Sequence, residues 1–259
     1  MKYERWEGLG EMIELGRLNG RMPAHKRKVD RAVTECAKAM MEHEGAIMAS
    51  VSGGKDSVAM LPIIEQAAQI SHRDYSIWGH VSTASFPETR ETIREAGRRM
   101  GRQVILDECP FDAFEVVGKG SAQKYGKKGY FADSIARVYR EMGVGIGFVG
   151  VRAGESKRRS KAIARLGYGF DSRTYGKQVH IVYPLAYMSV TDVFSLLVVN
   201  DLPIHPIYGK FAVGDLPIRL GYVTAVDQMD GDAALFLHVN YPDLYNRLAA
   251  VYPDVRLFG

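Results

Sequence analysis

A six-residue string of small and charged side chains is the part of this sequence best suited to chemistry. It reads Ser52-Gly53-Gly54-Lys55-Asp56-Ser57. The glycines lack a Cβ, so a ligand can approach their backbone N–H groups closely, and the lysine and serines add a charge and hydroxyl donors. The carboxylate of Asp56 repels phosphate unless it binds a cation or caps a helix. The string therefore predicts a polyphosphate site with Mg²⁺ or a helix cap at Asp56.

The elements on either side of the string place it at the start of a helix. Residues 46–51 form a short apolar run, typical of a buried parallel strand. From Val58 to Ile70 apolar residues recur every three or four positions, which predicts one amphipathic helix. A small-residue turn between strand and helix favours phosphate binding at the helix N-terminus. An ordinary Ser/Asp helix cap without a ligand is the alternative.

A second cluster of charged side chains follows the predicted strand at residues 145–150. It contains Arg152, Arg158 and Arg159. The planar guanidinium group suits phosphate or sulfate, and we expect Glu155 to orient one of these arginines. The alternative is the salt-bridged start of a surface helix.

Strands and helices alternate along the chain, which predicts an α/β protein with a parallel sheet. In such sheets ligands bind at the carboxyl ends of the strands. The string at Ser52 and the segment 82–89 each follow a strand, so we expect them to face one site. Residues 170–177 are expected to form a polar turn region. The predicted strands are residues 46–51, 76–81, 103–106, 145–150 and 180–183.

Composition indicates a globular protein of the reducing cytoplasm. The 259 residues are 46% hydrophobic and 25% charged, with a net charge of +4, which suits anionic substrates and permits nucleic acid. No apolar run approaches the roughly 18 residues of a membrane span, and the polar start of the chain predicts no signal peptide. Cys36 and Cys109 are too few thiols for an iron–sulfur cluster within one chain, and a reduced compartment is the default.

Three regions are expected along the chain. Residues 1–44 form a helical appendage, broken at Gly16, Gly20 and Pro23, whose first part either packs on the core or contacts a partner, a second copy among the options. Residues 45–210 form the nucleotide-binding domain, and residues 211–259 form a helical extension packed on it. The Gly- and Lys-rich stretch 118–129 is interpreted as a basic loop that closes over an anionic substrate, touches nucleic acid, or is only solvated.

The string at Ser52–Ser57 resembles the PP-loop signature SGGxDS of the ATP pyrophosphatases. Three further segments follow in the order found in the phosphoadenylyl-sulfate (PAPS) reductase branch of that superfamily: 86–89, 150–159 and 184–208. This resemblance covers roughly residues 45–210. It implies an adenine-nucleotide α-hydrolase-like (Rossmann-like) fold, with a five-stranded parallel sheet in the order 3-2-1-4-5.

The resemblance also implies ligands and site residues. ATP and Mg²⁺ are the implied cofactors, with the phosphates on the PP-loop, the adenosine near the ends of the second and fourth strands, and Asp56 as the metal ligand. The implied nucleotide-binding residues are Ser52, Gly53, Gly54, Lys55, Asp56, Ser57, Ser82, Thr83, Glu88, Gly150 and Arg152. The implied catalytic residues are Lys55, Asp56, Arg152, Glu155 and Arg159.

Two departures from the family pattern shape the functional hypothesis. Ser82-Thr83-Ala84 stands where the family usually has Asp-Thr-Gly, and no cysteine follows Cys109, so the reductase nucleophile and the cluster cysteines are missing. We therefore expect ATP-dependent AMP transfer to an acceptor with release of pyrophosphate, and no iron–sulfur cluster. The acceptor is open between nucleic acid, sulfate and a flavin nucleotide. The alternatives are a non-catalytic nucleotide-binding partner module and, third, a reductase that uses Cys109.

Overall fold

The sheet of this protein has six strands in the order β3-β2-β1-β4-β6-β5. The computed structural model describes residues 8–109, 112–114, 129–173, 178–210 and 231–257. All pairs are parallel except β5 with β6. The strands are β1 Ala46–Ser50, β2 Ser76–Val81, β3 Val104–Glu108, β4 Val144–Val149, β5 Gly169–Ser172 and β6 Val179–Val182.

The predicted α/β class and the order of the five parallel strands are confirmed, and one strand was missed. The predicted fifth strand is β6, and β5 lies antiparallel to it at the edge of the sheet. Residues 169–172 were expected partly as a turn, because the sequence Gly-Phe-Asp-Ser is rich in residues that are rare in strands. Phe170 packs near Tyr183, with 5.6 Å between ring centroids, and this contact supports an extended conformation.

Ten α-helices have bounds within the part of the chain that the structure describes. They are α1 Leu9–Asn19, α2 Pro23–Glu42, α3 Lys55–Ala59, α4 Leu61–Ser71, α5 Thr89–Met100, α6 Gly129–Glu141, α7 Lys157–Leu166, α8 Val190–Val199, α9 Gly231–Asn240 and α10 Pro242–Val251. None of these is long and apolar enough to cross a membrane.

The helix predicted from Val58 onward is two helices, α3 and α4, which meet at Met60. Pro62 explains the interruption, because it has no N–H to donate to the carbonyl of Val58 and its ring crowds that carbonyl. The short α3 is thereby set apart as the element that follows the glycine string.

The N-terminal helices belong to the main hydrophobic core. Met12 of α1 and Met40 of α2 are buried in one cluster with strand β1 and with Phe194 of α8. The expectation that Gly16 breaks the first helix was wrong, since it lies within α1. A Cβ on Gly16 would be 2.9 Å from the carbonyl carbon of Phe194, so glycine there lets α1 and α8 pack closely.

The C-terminal helices form a second core beneath the loops at one end of the sheet. Leu237 of α9 and Leu248 of α10 are buried with Phe86, Phe114 and Tyr208. This core supports the segments that follow β2 and α8. The basic stretch 118–128 and residues 211–230 lie outside the described residues, so the predictions made for them stay untested.

Candidate functional site

Three of the predicted segments meet at the carboxyl edge of the sheet. Strand β1 lies between β2 and β4, so the chain after each of these strands emerges at the same edge. The end of β4 touches the glycine string directly: a Cβ on Gly150 would lie 2.8 Å from the carbonyl carbon of Asp56. Only glycine permits this approach, because real Cβ atoms do not sit that close to a backbone atom.

The glycine string folds into a loop that is closed by the hydroxyl of Ser57. This buried hydroxyl donates to the carbonyl of Gly54 at 2.9 Å and accepts from the N–H of Ser52 at 3.1 Å. The Ser52 hydroxyl lies 3.2 Å from it. Gly53 has a φ of +79°, a conformation that favours glycine. The sequence therefore sets the loop shape, with α3 starting immediately after Gly54.

Asp56 lies between two cations. Its Oδ2 atom is 2.6 Å from the ammonium of Lys55, and its Oδ1 atom accepts a hydrogen bond from Nε of Arg152. Arg152 is only 1% exposed. Burial alone would raise the pKa of Asp56, but the charges of Lys55 and Arg152 outweigh it and lower that pKa below its ordinary value. The carboxylate is therefore ionised and held between a lysine and a buried arginine.

Glu155 connects the turn after β4 to the start of α7. Its Oε2 atom accepts from the backbone N–H of Arg152 at 2.7 Å, and its other oxygen pairs with Arg159. Arg159 is 45% exposed, and Arg158 is exposed as well. The three arginines of the predicted cluster thus differ sharply in position, and only Arg152 reaches Asp56.

The hydroxyls of Ser82 and Thr83 organise the loop after β2. Thr83 donates to Asp112 at 2.7 Å and accepts from the N–H of Ala113 at 2.8 Å. The Ser82 hydroxyl lies 3.4 Å from that of Ser85. These contacts place both residues at the predicted edge.

Glu88 lies on the side of the loop nearest the C-terminal core. Its Oε1 atom accepts from Lys210 at 3.0 Å and lies 3.4 Å from the hydroxyl of Tyr241. Burial would raise the pKa of Glu88, but the hydrogen bond and charge of Lys210 lower it. The next residue, Thr89, lies against the glycine loop. A Cβ on Gly53 would be only 3.3 Å from the methyl group of Thr89.

Two functional candidates, His205 and Tyr208, were absent from the predicted site residues. The hydroxyl of Tyr208 accepts from the N–H of Lys55 at 3.0 Å. Nδ1 of His205 accepts from the N–H of Ile207 at 3.1 Å, so Nε2 carries the proton and donates to Thr89, also at 3.1 Å. Burial lowers the pKa of His205 to about 4, which keeps the ring neutral. The prolines on either side indicated a rigid turn, but only the fold shows that this turn supports the glycine loop.

The site can hold a hard cation or a polyphosphate. The carboxylates of Asp56, Glu88 and Glu155 each pair with a lysine or arginine. Asp56 is closest to the loop, and an ionised carboxylate is the ligand type that Mg²⁺ takes. Cys109 follows β3 and donates its backbone N–H to the carbonyl of Val81 at 2.9 Å.

Comparison with known proteins places this site in a family. A family model described as the phosphoadenosine phosphosulfate reductase domain matches residues 46–219. No curated protein sequence matches the chain.

Solved structures that share this fold have low sequence identity to the chain. A structure of Candida glabrata FMN adenylyltransferase with FMN and the ATP analogue AMPCPP is 14% identical at a TM-score of 0.52, over 82% of this chain and 72% of that one. The same enzyme with FAD and inorganic pyrophosphate gives 14% and 0.53, over 84% and 80%. The U34-tRNA thiolase NcsA of Methanococcus maripaludis, with its 4Fe-4S cluster, gives 12% and 0.51, over 90% and 79%.

At these identities the neighbours show the fold of this chain and nothing about its substrate. The family model, in contrast, spans well over half of the chain and includes the glycine loop, Arg152 and Tyr208. This protein belongs to the phosphoadenosine phosphosulfate reductase domain family, within the PP-loop ATP pyrophosphatase superfamily.

Proposed function

We propose that this protein binds ATP with Mg²⁺ and transfers AMP to an acceptor, releasing pyrophosphate. The observation that carries the proposal is the arrangement of Lys55, Asp56 and the buried Arg152 beside a glycine loop at the carboxyl edge of the sheet. The fold shared with an FMN adenylyltransferase, whose structures hold an ATP analogue or pyrophosphate, supports ATP as the ligand.

The loop would bind the β- and γ-phosphates. The backbone N–H groups of Gly53 and Gly54 can approach phosphate oxygens closely, and oriented donors in a fixed loop stabilise developing negative charge. Lys55 can turn from Asp56 to a phosphate, because Arg152 still neutralises the carboxylate after that movement. Arg152 is thus a positioning residue for Asp56.

Mg²⁺ bound with the triphosphate would add positive charge for the departing pyrophosphate, and Asp56 is the residue that would hold it. In the transfer, an acceptor oxygen forms a bond to the α-phosphorus while the bond to the bridging oxygen of pyrophosphate breaks. Any proton on the acceptor leaves to solvent or to a nearby carboxylate. Glu88 and Glu155 are the nearby carboxylates besides Asp56.

The proposal leaves three candidates for the molecule that accepts AMP. FMN and tRNA are molecules that the names of two structural neighbours mention. Sulfate is a third acceptor to test with ATP. The net charge of +4 suits all three anions.

The test combines calorimetric titration with ATP, with and without Mg²⁺, and a pyrophosphate-release assay with each acceptor. Lys55→Ala should slow release by about 100-fold or more, the range for removal of one stabilising donor. Lys161→Ala, an exposed lysine of α7, is the matched control and should behave as the wild type.

Each outcome has a distinct meaning. Failure of the wild type to bind ATP would refute the proposal. Binding without pyrophosphate release for any acceptor would favour the non-catalytic partner module instead. Preference for PAPS over ATP would point back to sulfonucleotide chemistry.

A further inference from the structure

We propose that this protein has a second site, for Zn²⁺, at the edge of the sheet, with His43, Asp171 and His180 as ligands. The candidate ligand atoms of these three residues all lie within 4.8 Å of one another. Nδ1 of His180 is 2.9 Å and Nε2 of His43 is 3.9 Å from Oδ1 of Asp171. Two imidazoles and one carboxylate form a donor set that zinc accepts.

The two nitrogen–oxygen distances suit a tetrahedral ion. Bonds of about 2.0–2.1 Å place neighbouring ligand atoms of a tetrahedral zinc roughly 3.3 Å apart. The two measured separations lie on either side of that value. A nitrogen lone pair lies in the plane of its ring, and the two rings are stacked only 21° from parallel, so the His180 ring has to turn about its Cβ–Cγ bond before both rings can bind one ion.

Hydrogen bonds already orient two of the three ligands. Nδ1 of His43 lies 3.1 Å from the carbonyl of Ala39, which can only accept, so this ring carries its proton on Nδ1 and its Nε2 lone pair remains for a metal. Oδ2 of Asp171 accepts from the side chain of Gln178 at 2.9 Å. Such outer contacts of ligating histidines and carboxylates are a regular feature of metal sites.

Three separate elements supply the ligands. His43 follows α2, and Asp171 of β5 lies directly opposite His180 of β6 in the antiparallel pair. The two imidazole rings stack with their centroids 3.8 Å apart, and each has one nitrogen within 4 Å of Oδ1 of Asp171. Asp171 is 50% exposed, which leaves a solvent-facing position for a water as the fourth ligand.

The proposed zinc site is separate from the glycine loop. His180 pairs with Ile146 of β4, four residues before Gly150, which corresponds to roughly 13 Å along the strand. The ion would tie the end of α2 to β5, an edge strand paired on one side by β6. We therefore infer a stabilising role for the ion.

The experiment uses the full chain without a polyhistidine tag, stripped of metal by a chelator. Calorimetry with Zn²⁺ should show one ion per chain, and Co²⁺ should give the visible absorption of a tetrahedral site. Zn²⁺ should also raise the unfolding temperature, since an ion that binds the folded state stabilises it. A tenfold excess of Mg²⁺ should not displace Zn²⁺.

Three variants identify the ligands. His43→Ala and Asp171→Asn should each weaken Zn²⁺ binding by about 100-fold or more, because even an outer contact is worth 10- to 100-fold. His72→Asn is the matched control: it removes an exposed histidine whose φ of +54° asparagine tolerates. Asp56→Asn should bind Zn²⁺ as the wild type does.

The proposal is overturned if the wild type binds no Zn²⁺, or if His43→Ala and Asp171→Asn bind it normally. It is also overturned if Asp56→Asn abolishes binding, which would locate the ion at the glycine loop.

Discussion

At the scale of residues, burial separates three arginines that look alike in the sequence. Arg152 is almost completely enclosed and bonds to Asp56, Arg158 is exposed, and Arg159 pairs with Glu155 near the surface. An arginine that keeps a carboxylate ionised beside the glycine loop has a different environment from one that is solvated. The sequence indicates the cluster, but the division of labour depends on which side chain points inward.

Arg152→Ala should reduce ATP-dependent pyrophosphate release by about 100-fold or more. Without the guanidinium, Lys55 must stay with the mostly enclosed Asp56 and cannot turn to phosphate, since a carboxylate with little access to water is costly to leave without a partner. Steady-state kinetics with Mg²⁺ and ATP measure the loss, and circular dichroism verifies that the variant is folded. Arg158→Ala is the control and should keep activity within about threefold of the wild type, as exposed charges contribute little. Equal losses in the two variants would contradict the assigned roles.

At the scale of elements, the site depends on close contact between the end of β4 and the start of α3. Gly150 makes that contact possible, because the Cβ of any other residue at this position would overlap the backbone of Asp56. Gly16 serves the same purpose between α1 and α8. Both glycines were visible in the sequence, but a close approach between distant segments has no local signal.

Gly150→Ala should weaken ATP binding by at least about tenfold. A methyl group 2.8 Å from the carbonyl of Asp56 forces β4 and the glycine loop apart, which displaces Arg152 from the carboxylate. Calorimetric titration with ATP measures the effect. Gly10→Ala provides the comparison, because nothing lies within 4 Å of a Cβ there and alanine suits a helix better than glycine. Unchanged affinity in Gly150→Ala would show that the loop does not need this contact.

At the scale of the whole molecule, Asp192 joins the N-terminal helices to α8. Its two oxygens accept from Asn19 of α1 at 3.0 Å, from Lys28 of α2 at 2.6 Å and from the N–H of Ser189 at 2.9 Å, and Nδ1 of His25 lies 2.8 Å away. The carboxylate is 2% exposed. Residues 8–42 are therefore held to α8 by charge as well as by apolar packing.

Asp192 should make the stability of this protein sensitive to acid. Burial would raise its pKa, but the hydrogen bonds from His25 and Lys28 lower it far below the ordinary value. A lowered folded-state pKa contributes stability above the unfolded pKa of about 4 and loses that contribution as the pH falls through the folded-state value. Urea unfolding of the wild type should therefore show a free energy of unfolding that declines steadily below about pH 5.

Asp192→Asn should cost about 2 kcal/mol at pH 7, the order expected for hydrogen bonds to a charged group. The difference from the wild type should shrink as the pH is lowered, because the acid-sensitive contribution is absent from the variant. Asp30→Asn, at an exposed position of α2, should follow the wild-type curve at every pH. A difference between Asp192→Asn and the wild type that is constant with pH would mean that packing, and not the charge, accounts for the loss.

The sequence by itself determined the glycine loop, the family, the α/β class and the order of the five parallel strands. The glycine loop and the α/β class follow from local patterns: a six-residue motif, apolar runs and alternating strands and helices. The family and the strand order follow from the resemblance that the motif and the three later segments carry. The sequence missed the edge strand β5 and the break between α3 and α4 at Met60, where short segments carry weak signals.

Only the tertiary structure decided which charged groups meet. The pairing of Arg152 with Asp56, the support that His205 and Tyr208 give to the loop, and the meeting of His43 with Asp171 and His180 join residues far apart in the chain. Contacts of this kind depend on where the sheet brings its strand ends and edges together, and no local stretch of sequence contains that information.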